Sequence, residues 1–286
     1  MSIVPRSRML LACILTVLAA SFAFTSVASA KNFNKPQKYY LALGDSLAFG
    51  FQGFKVVPPF APTQFTTGYV DDFARQLLTA KDEIRTVNDG CPGATTTTLL
   101  SVAGCTTYPF PLHHSYATTQ IADAVAFLNA NPDKVSPITL NIGANDTLAA
   151  VTACGGLANI PCIIGAVPGL QTSIGGGVAS AVGQLRAAAP NAKILVVGLY
   201  NPYEAIGFTL GNNLSAAING AIAAGAASGG ATFVDPLSTF NVGQPQPATI
   251  CALTLMCNFG DIHASDAGYQ KIADLLWTAS GYTADN

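Results

Sequence analysis

Apolar runs and periodic apolar stripes alternate along this chain, and their order predicts its architecture. Tyr39 to Leu43 is five apolar residues in succession, closed by Gly44-Asp45-Ser46. A short run that is apolar at every position and ends in a turn signal reads as a strand buried on both faces. Pro137 to Ile142 and Lys193 to Gly198 repeat the pattern, and Ile84 to Val87 and Ala231 to Val234 are shorter versions of it. Between these runs the spacing becomes helical. Val70, Phe73, Leu77 and Leu78 mark a helix over 68–80; Ile121, Ala124, Val125 and Leu128 mark one over 119–129. Further helices are predicted over 170–189 (weakened by Gly175-Gly176-Gly177), over the alanine-rich 212–227, and over 266–280, where Tyr269, Ile272, Leu275 and Leu276 form the stripe. The intervening stretches 51–67, 95–116 and 147–168, and the segment carrying Cys251 and Cys257, read as irregular. Strands alternating with helices give an α/β sandwich around a parallel sheet, with one domain over about 38–282.

Composition narrows the function. The chain has 286 residues, half of them hydrophobic and 10% charged, with a formal net charge of −2. No basic face is available for nucleic acid. The N-terminus has the layout of a targeting segment: Arg6 and Arg8, then an apolar stretch from Met9 to Phe24, then the small residues Ala28-Ser29-Ala30. Residues 1–30 are expected to be a signal peptide removed after Ala30, followed by a short leader over 31–37. An uncleaved anchor helix is the other reading of that stretch. Leu10-Leu11-Ala12-Cys13 superficially matches a lipidation signal, but the apolar region continues past Cys13. The expectation is a secreted protein, extracellular or periplasmic, with no stable membrane insertion once the signal is gone.

Export gives the cysteines a meaning. The mature chain would keep Cys91, Cys105, Cys154, Cys162, Cys251 and Cys257. An even number in an oxidising compartment implies disulfides. Of the possible pairings, spacing favours neighbours: Cys91 with Cys105, Cys154 with Cys162, and Cys251 with Cys257. None of these pairs is C-x-x-C and no histidine keeps ligand spacing with them, so no metal site is expected.

The strand ends carry the candidate chemistry. The first strand ends at Ser46, the second in the turn holding Gly90 and Gly93, the third at Asn145; the last loop offers Asp261 and His263. Carboxyl ends of parallel strands lie at one edge of a sheet, where α/β proteins bind ligands. The inventory is that of acyl transfer. A serine hydroxyl needs a base to take its proton, and histidine suits that work near neutral pH. A developing oxyanion needs donors in place: the Ser46 N–H, the Gly93 N–H and the Asn145 amide. Taken singly, each residue has a plainer role: a turn or helix cap for Asp45-Ser46, a turn glycine for Gly93, an Asx turn for Asn145. Only His113, His114 and His263 exist. The first two fall in a Pro- and Tyr-rich loop with no carboxylate expected nearby, so a surface or loop-packing role is expected for them rather than a metal site.

In four blocks the chain resembles the GDSL or SGNH hydrolases: Leu43-Gly44-Asp45-Ser46-Leu47, Asn88 to Ala94, Gly143-Ala144-Asn145-Asp146, and Asp261-Ile262-His263 with Asp266-Ala267-Gly268-Tyr269. They occur in that family's order over about Tyr39 to Trp277. The resemblance implies a three-layer α/β/α sandwich with a flavodoxin-like parallel sheet, and ester hydrolysis without a cofactor. It implies Ser46 as nucleophile, His263 as base, and Ser46, Gly93 and Asn145 as the oxyanion hole. Asp45 would fix the turn presenting the serine, and Asp146 the Asn145 loop. One departure stands out. The family places its acid three residues before the histidine, where this chain has Gly260; Asp261 lies two before. Along an extended strand such residues share a face, so Asp261 is the expected acid, with a Ser–His dyad oriented by a backbone carbonyl as the alternative. The expected substrate is a small-molecule or lipid ester, with residues between Phe49 and Phe65 lining its site. A carbohydrate acetyl ester, or a non-catalytic exported binding protein on the same fold, are the competing readings.

Overall fold

The computed structural model describes residues 33–285. The expected signal peptide, and the start of the leader, lie outside the described residues. In chain order the structure runs β1 (Tyr39–Gly44), α1 (Ser46–Phe49), α2 (Tyr69–Leu77) and β2 (Arg85–Asn88). Then come α3 (Thr96–Ser101), α4 (Gln120–Ala130), β3 (Val135–Asn141), α5 (Ala144–Ala153) and α6 (Ile160–Ala188). The last part is β4 (Ile194–Val197), α7 (Leu210–Ser228), β5 (Thr232–Val234), α8 (Leu237–Phe240), α9 (Ala248–Leu253), α10 (Met256–Phe259) and α11 (Asp266–Ser280).

All strand pairs are parallel, in the order β2-β1-β3-β4-β5. The apolar run of β1 is buried on both faces because its side chains alternate between two cores. Leu41 and Leu43 join Ile138, Leu140 and Val196 beneath α4, α6 and α7; Tyr40 and Ala42 join Leu195 and Val197 beneath α2 and α11. The result is the expected three-layer α/β/α sandwich with flavodoxin-like order. Pro137, which lacks an N–H for the ladder, sits where the β1–β3 register shifts between Tyr39 and Leu41. The strand order reverses at β1 and β3: the chain after β1 goes to β2 on one side, and the chain after β3 goes to β4 on the other. In such sheets the crevice beyond that switch point receives ligands.

Three stretches read as irregular contain α-helix. Thr96–Ser101 is helical because Thr95 caps it, its hydroxyl accepting the Thr98 N–H. α5 and the first turns of α6 occupy much of 147–168; α6 is 29 residues long and runs through Pro168. Two of the three glycines taken as a weakness in α6, Gly175 and Gly177, are contact points: a Cβ on Gly225 of α7 would lie 2.5 Å from the Gly175 carbonyl, so the two helices approach through glycine, and a Cβ on Gly177 would lie 2.7 Å from that of Thr96. The segment with Cys251 and Cys257 forms α9 and α10. The three disulfides join the expected neighbours, Cys91–Cys105, Cys154–Cys162 and Cys251–Cys257.

Candidate active site

Ser46 is the first residue of α1, directly beyond β1. Asp45 caps that short helix, accepting the Leu47 N–H at 3.0 Å, and its own N–H donates to the Asn141 carbonyl of β3. The nucleophile candidate is thereby tied to two central strands. Ser46 Oγ lies 2.9 Å from His263 Nε2, and His263 Nδ1 lies 2.5 Å from Asp261 Oδ1. Burial alone would raise the Asp261 carboxyl. The hydrogen bond and charge of His263, with the N–H groups of Gly53 and His263, outweigh it and hold the carboxyl at about 2. An ionised Asp261 accepts from Nδ1–H, so Nε2 is left as the acceptor for the serine hydroxyl.

Asp261 reaches the ring by a different route from the extended strand expected of it. Gly260 ends α10 in the left-handed region, and the chain turns back on itself. Asp261 Oδ1 accepts the backbone N–H of His263 at 3.0 Å as well as the ring N–H, which makes an Asx turn. The turn is pinned by Leu255 N–H to the His263 carbonyl, by the Tyr200 hydroxyl to the Ile262 carbonyl, and by the Cys251–Cys257 bridge just upstream. Asp261 Oδ2 accepts the Gly53 N–H at 2.8 Å. Gly53 and its neighbour Gln52, whose amide donates to the Ala264 carbonyl and to Asp266, are supports that sequence reasoning missed. A main-chain donor leaves no side-chain signature, and Gln52 looked like one more loop residue.

The expected oxyanion donors meet at the same place. Ser46, Gly93, Asn145 and His263 line one cavity of about 460 Å³. Neither the Ser46 N–H nor the Gly93 N–H is taken by a protein acceptor among the described residues. One hydrogen of the Asn145 amide goes to the Ala94 carbonyl at 2.9 Å, which leaves the other. Gly93 needs to be glycine: its φ is +84°, and a Cβ would lie 2.9 Å from that of Thr107. Thr107 in turn donates to the Pro92 carbonyl, and Cys91–Cys105 staples the loop. Asp146 accepts from the N–H and hydroxyl of Thr96, so it ties the Asn145 segment to the start of α3.

The loop over 51–67 contributes in part. Phe51, 4.8 Å ring to ring from His263, and Val56 line the cavity; Phe49 and Phe65 pack in the core, and Phe54 and Phe60 are exposed. The histidine pair does have carboxylates nearby in space. His114 Nδ1 sits 2.6 Å from Asp89, at the end of β2, and 3.6 Å from Asp123 of α4. The hydrogen bond to Asp89 raises the His114 pKa despite its burial. Burial lowers that of His113, whose Nε2 bonds the Phe49 carbonyl. Both fasten the 105–118 loop.

The model of the GDSL-like Lipase/Acylhydrolase family matches residues 42–271. No curated protein matches the chain. Among solved structures, an extracellular lipase from Streptomyces rimosus is 19% identical, over 85% of this chain and 99% of its own, with a TM-score of 0.59. Phospholipase A1 from Streptomyces albidoflavus is 20% identical over 85% and 99%, with a TM-score of 0.58. A catalytic mutant of an acetylxylan esterase from Geobacillus stearothermophilus is 17% identical over 87% and 96%, with a TM-score of 0.56. At these identities the likeness is one of fold.

Proposed function

The chain belongs to the GDSL-like lipase/acylhydrolase family and is a carboxylic ester hydrolase, and on that premise we propose that Ser46, His263 and Asp261 perform the hydrolysis. The observation that carries this reading is the unbroken chain from Ser46 Oγ to His263 Nε2 at 2.9 Å and from His263 Nδ1 to Asp261. His263 takes the hydroxyl proton as Ser46 attacks the ester carbonyl, and the ionised Asp261 holds the imidazolium. The oxyanion collects the N–H groups of Ser46 and Gly93 and the free amide hydrogen of Asn145, each worth about 3 kcal/mol in the transition state. As the tetrahedral intermediate collapses, His263 gives its proton to the leaving alcohol. Water, deprotonated by the same base, then frees the acyl group.

The protein works outside the cytoplasm in this reading, after loss of residues 1–30. Three neighbouring disulfides suit that compartment. Its substrate is an ester with an apolar acyl group. The cavity wall is built largely from leucine, valine, proline and aromatic side chains, and apolar lining of that extent selects apolar ligands. A glycan acetyl ester would need polar partners for the sugar and no room for a chain. Ser46→Ala is expected to lower turnover of p-nitrophenyl butyrate by roughly 10⁴-fold or more. An ethyl fluorophosphonate should label Ser46 and no other serine. Turnover surviving in the Ser46→Ala protein removes Ser46 from its role, and an absence of turnover and labelling in the wild type supports the binding-protein reading.

A further inference from the structure

Helix α5 is unlike the other helices that border the sheet. It contains Leu148, Val151 and four alanines, yet none of its residues is buried. Amphipathic helices normally press their apolar stripe on a core. Here Ala144, Leu148 and Val151, spaced four and three apart on one face, line the cavity that starts at Ser46. Leu157, just past the helix, lines the same cavity, as do Phe208, Gly211 and Leu214, ahead of and in the first turns of α7. The apolar face of α5 therefore looks into space that a ligand fills.

Its ends hold it instead. The N-terminal end is tied by Asn145 to the Ala94 carbonyl and by Asp146 to Thr96. The C-terminal end is tied by the Cys154–Cys162 disulfide to the first turn of α6, with the Asn159 amide donating to the Cys154 carbonyl. Cys154 is the buried residue of that turn, and Val151 and Leu157 lie three residues to either side of it. Only Ala144, at its start, packs against the core, and the Cys154–Cys162 bond ties its far end to α6.

The reaction geometry decides which part of the ester lies there. The departing alcohol oxygen has to meet the proton on His263 Nε2, so the alcohol occupies the His263 and Phe51 side. The carbonyl oxygen points to Gly93 and Asn145, and the α5 wall begins at Asn145 itself. We propose that α5, held in place by the Cys154–Cys162 bridge, is the wall that receives the acyl chain and sets the enzyme's preference for its length. This rests on the Ser46 reading above. Intact, the bridge keeps Leu148, Val151 and Leu157 within reach of the far carbons of a medium-length chain. An acetyl group ends before it meets them.

The test is the ratio of kcat/KM for p-nitrophenyl octanoate to that for the acetate, both as monomers in solution. A ratio is indifferent to the fraction of folded protein, so mere destabilisation does not move it. Cys154→Ser with Cys162→Ser should lower the ratio about tenfold, chiefly through KM for the octanoate. Val151→Trp, which keeps all three bridges and fills the cleft, should move the preferred ester to butyrate or shorter. A ratio within twofold of wild type in both proteins overturns the inference while turnover of the acetate and labelling of Ser46 stand. Loss of labelling in the wild type overturns the Ser46 reading and this inference with it.

Discussion

Two helices follow residues of the site, and they are held in opposite ways. α11 begins three residues after His263 and buries Tyr269, Ile272, Ala273 and Leu276 completely against the sheet. α5 carries Asn145 in its first turn and has no fully buried residue. The first is fixed by apolar packing, at about 1.5–3 kcal/mol for each large side chain. The second is fixed by hydrogen bonds at one end and a disulfide at the other. Groups that exchange protons need constant distances, and a packed core supplies them. A wall that meets substrates of differing size needs an apolar face kept free of the core, and then something else has to hold it. The sharpest break between the halves should come from the reacting side. Asp261→Asn is expected to lower kcat about 10⁴-fold with little change in KM, whereas α5 variants should act through KM. A loss of kcat below tenfold would mean that a backbone carbonyl orients His263, leaving a dyad.

Stability should divide the helices next. Ile272→Ala empties a fully buried site and should cost about 3 kcal/mol, read as a shift of the urea midpoint with an unchanged slope. Leu148→Ala, on a face already open to the cavity, should cost less than about 1 kcal/mol. Equal costs would show that α5 leans on the core after all, and would remove the physical basis for its separate role.

The same contrast explains what the sequence disclosed. Strands and the helices packed on them announce themselves by apolar period, so all five strands, α2, α4, α7 and α11 were legible, as was the gathering of Ser46, Gly93, Asn145 and His263 at strand ends. The disulfide partners were legible because the separations are short, 14, 8 and 6 residues. Helices without a buried stripe were not. α5 carries no periodic signal because its apolar face serves the cavity. α3 was hidden by its threonines, which favour caps and loops as readily as helix. Pro168 masked the first turns of α6. The position of Asp261 was judged against an extended backbone, when the left-handed Gly260 and the Leu255–His263 hydrogen bond fold it into an Asx turn. Backbone conformation of that kind is written in tertiary contacts rather than in residue type.

Within the reacting half, Asp45 and Asp261 make a smaller contrast whose sign differs with pH. Asp45 is fully buried and its Oδ2 finds no partner among the described residues. Burial pushes its carboxyl up to about 7, though the Leu47 N–H works against the shift. An unfolded aspartate titrates near about 3.9. Between pH 4 and 7 the folded protein thus holds a proton that the unfolded chain has released. The stability this group contributes is complete below about pH 4 and is lost as pH rises toward 7, by no more than about 1.4 kcal/mol per pH unit. Asp261, held at about 2, behaves inversely: its contribution is complete above about pH 4 and is lost as pH falls toward 2. Asp45→Asn should therefore flatten the decline from pH 4 to 7 in urea-derived stability, by up to about 4 kcal/mol across that window, and leave the acid limb alone. Asp261→Asn should flatten only the limb below pH 4, by at most about 2 kcal/mol. If Asp45→Asn leaves the slope between pH 4 and 7 unchanged, Asp45 is ionised in the folded protein, and the short helix presenting Ser46 is capped by a buried anion whose second oxygen must have found a donor.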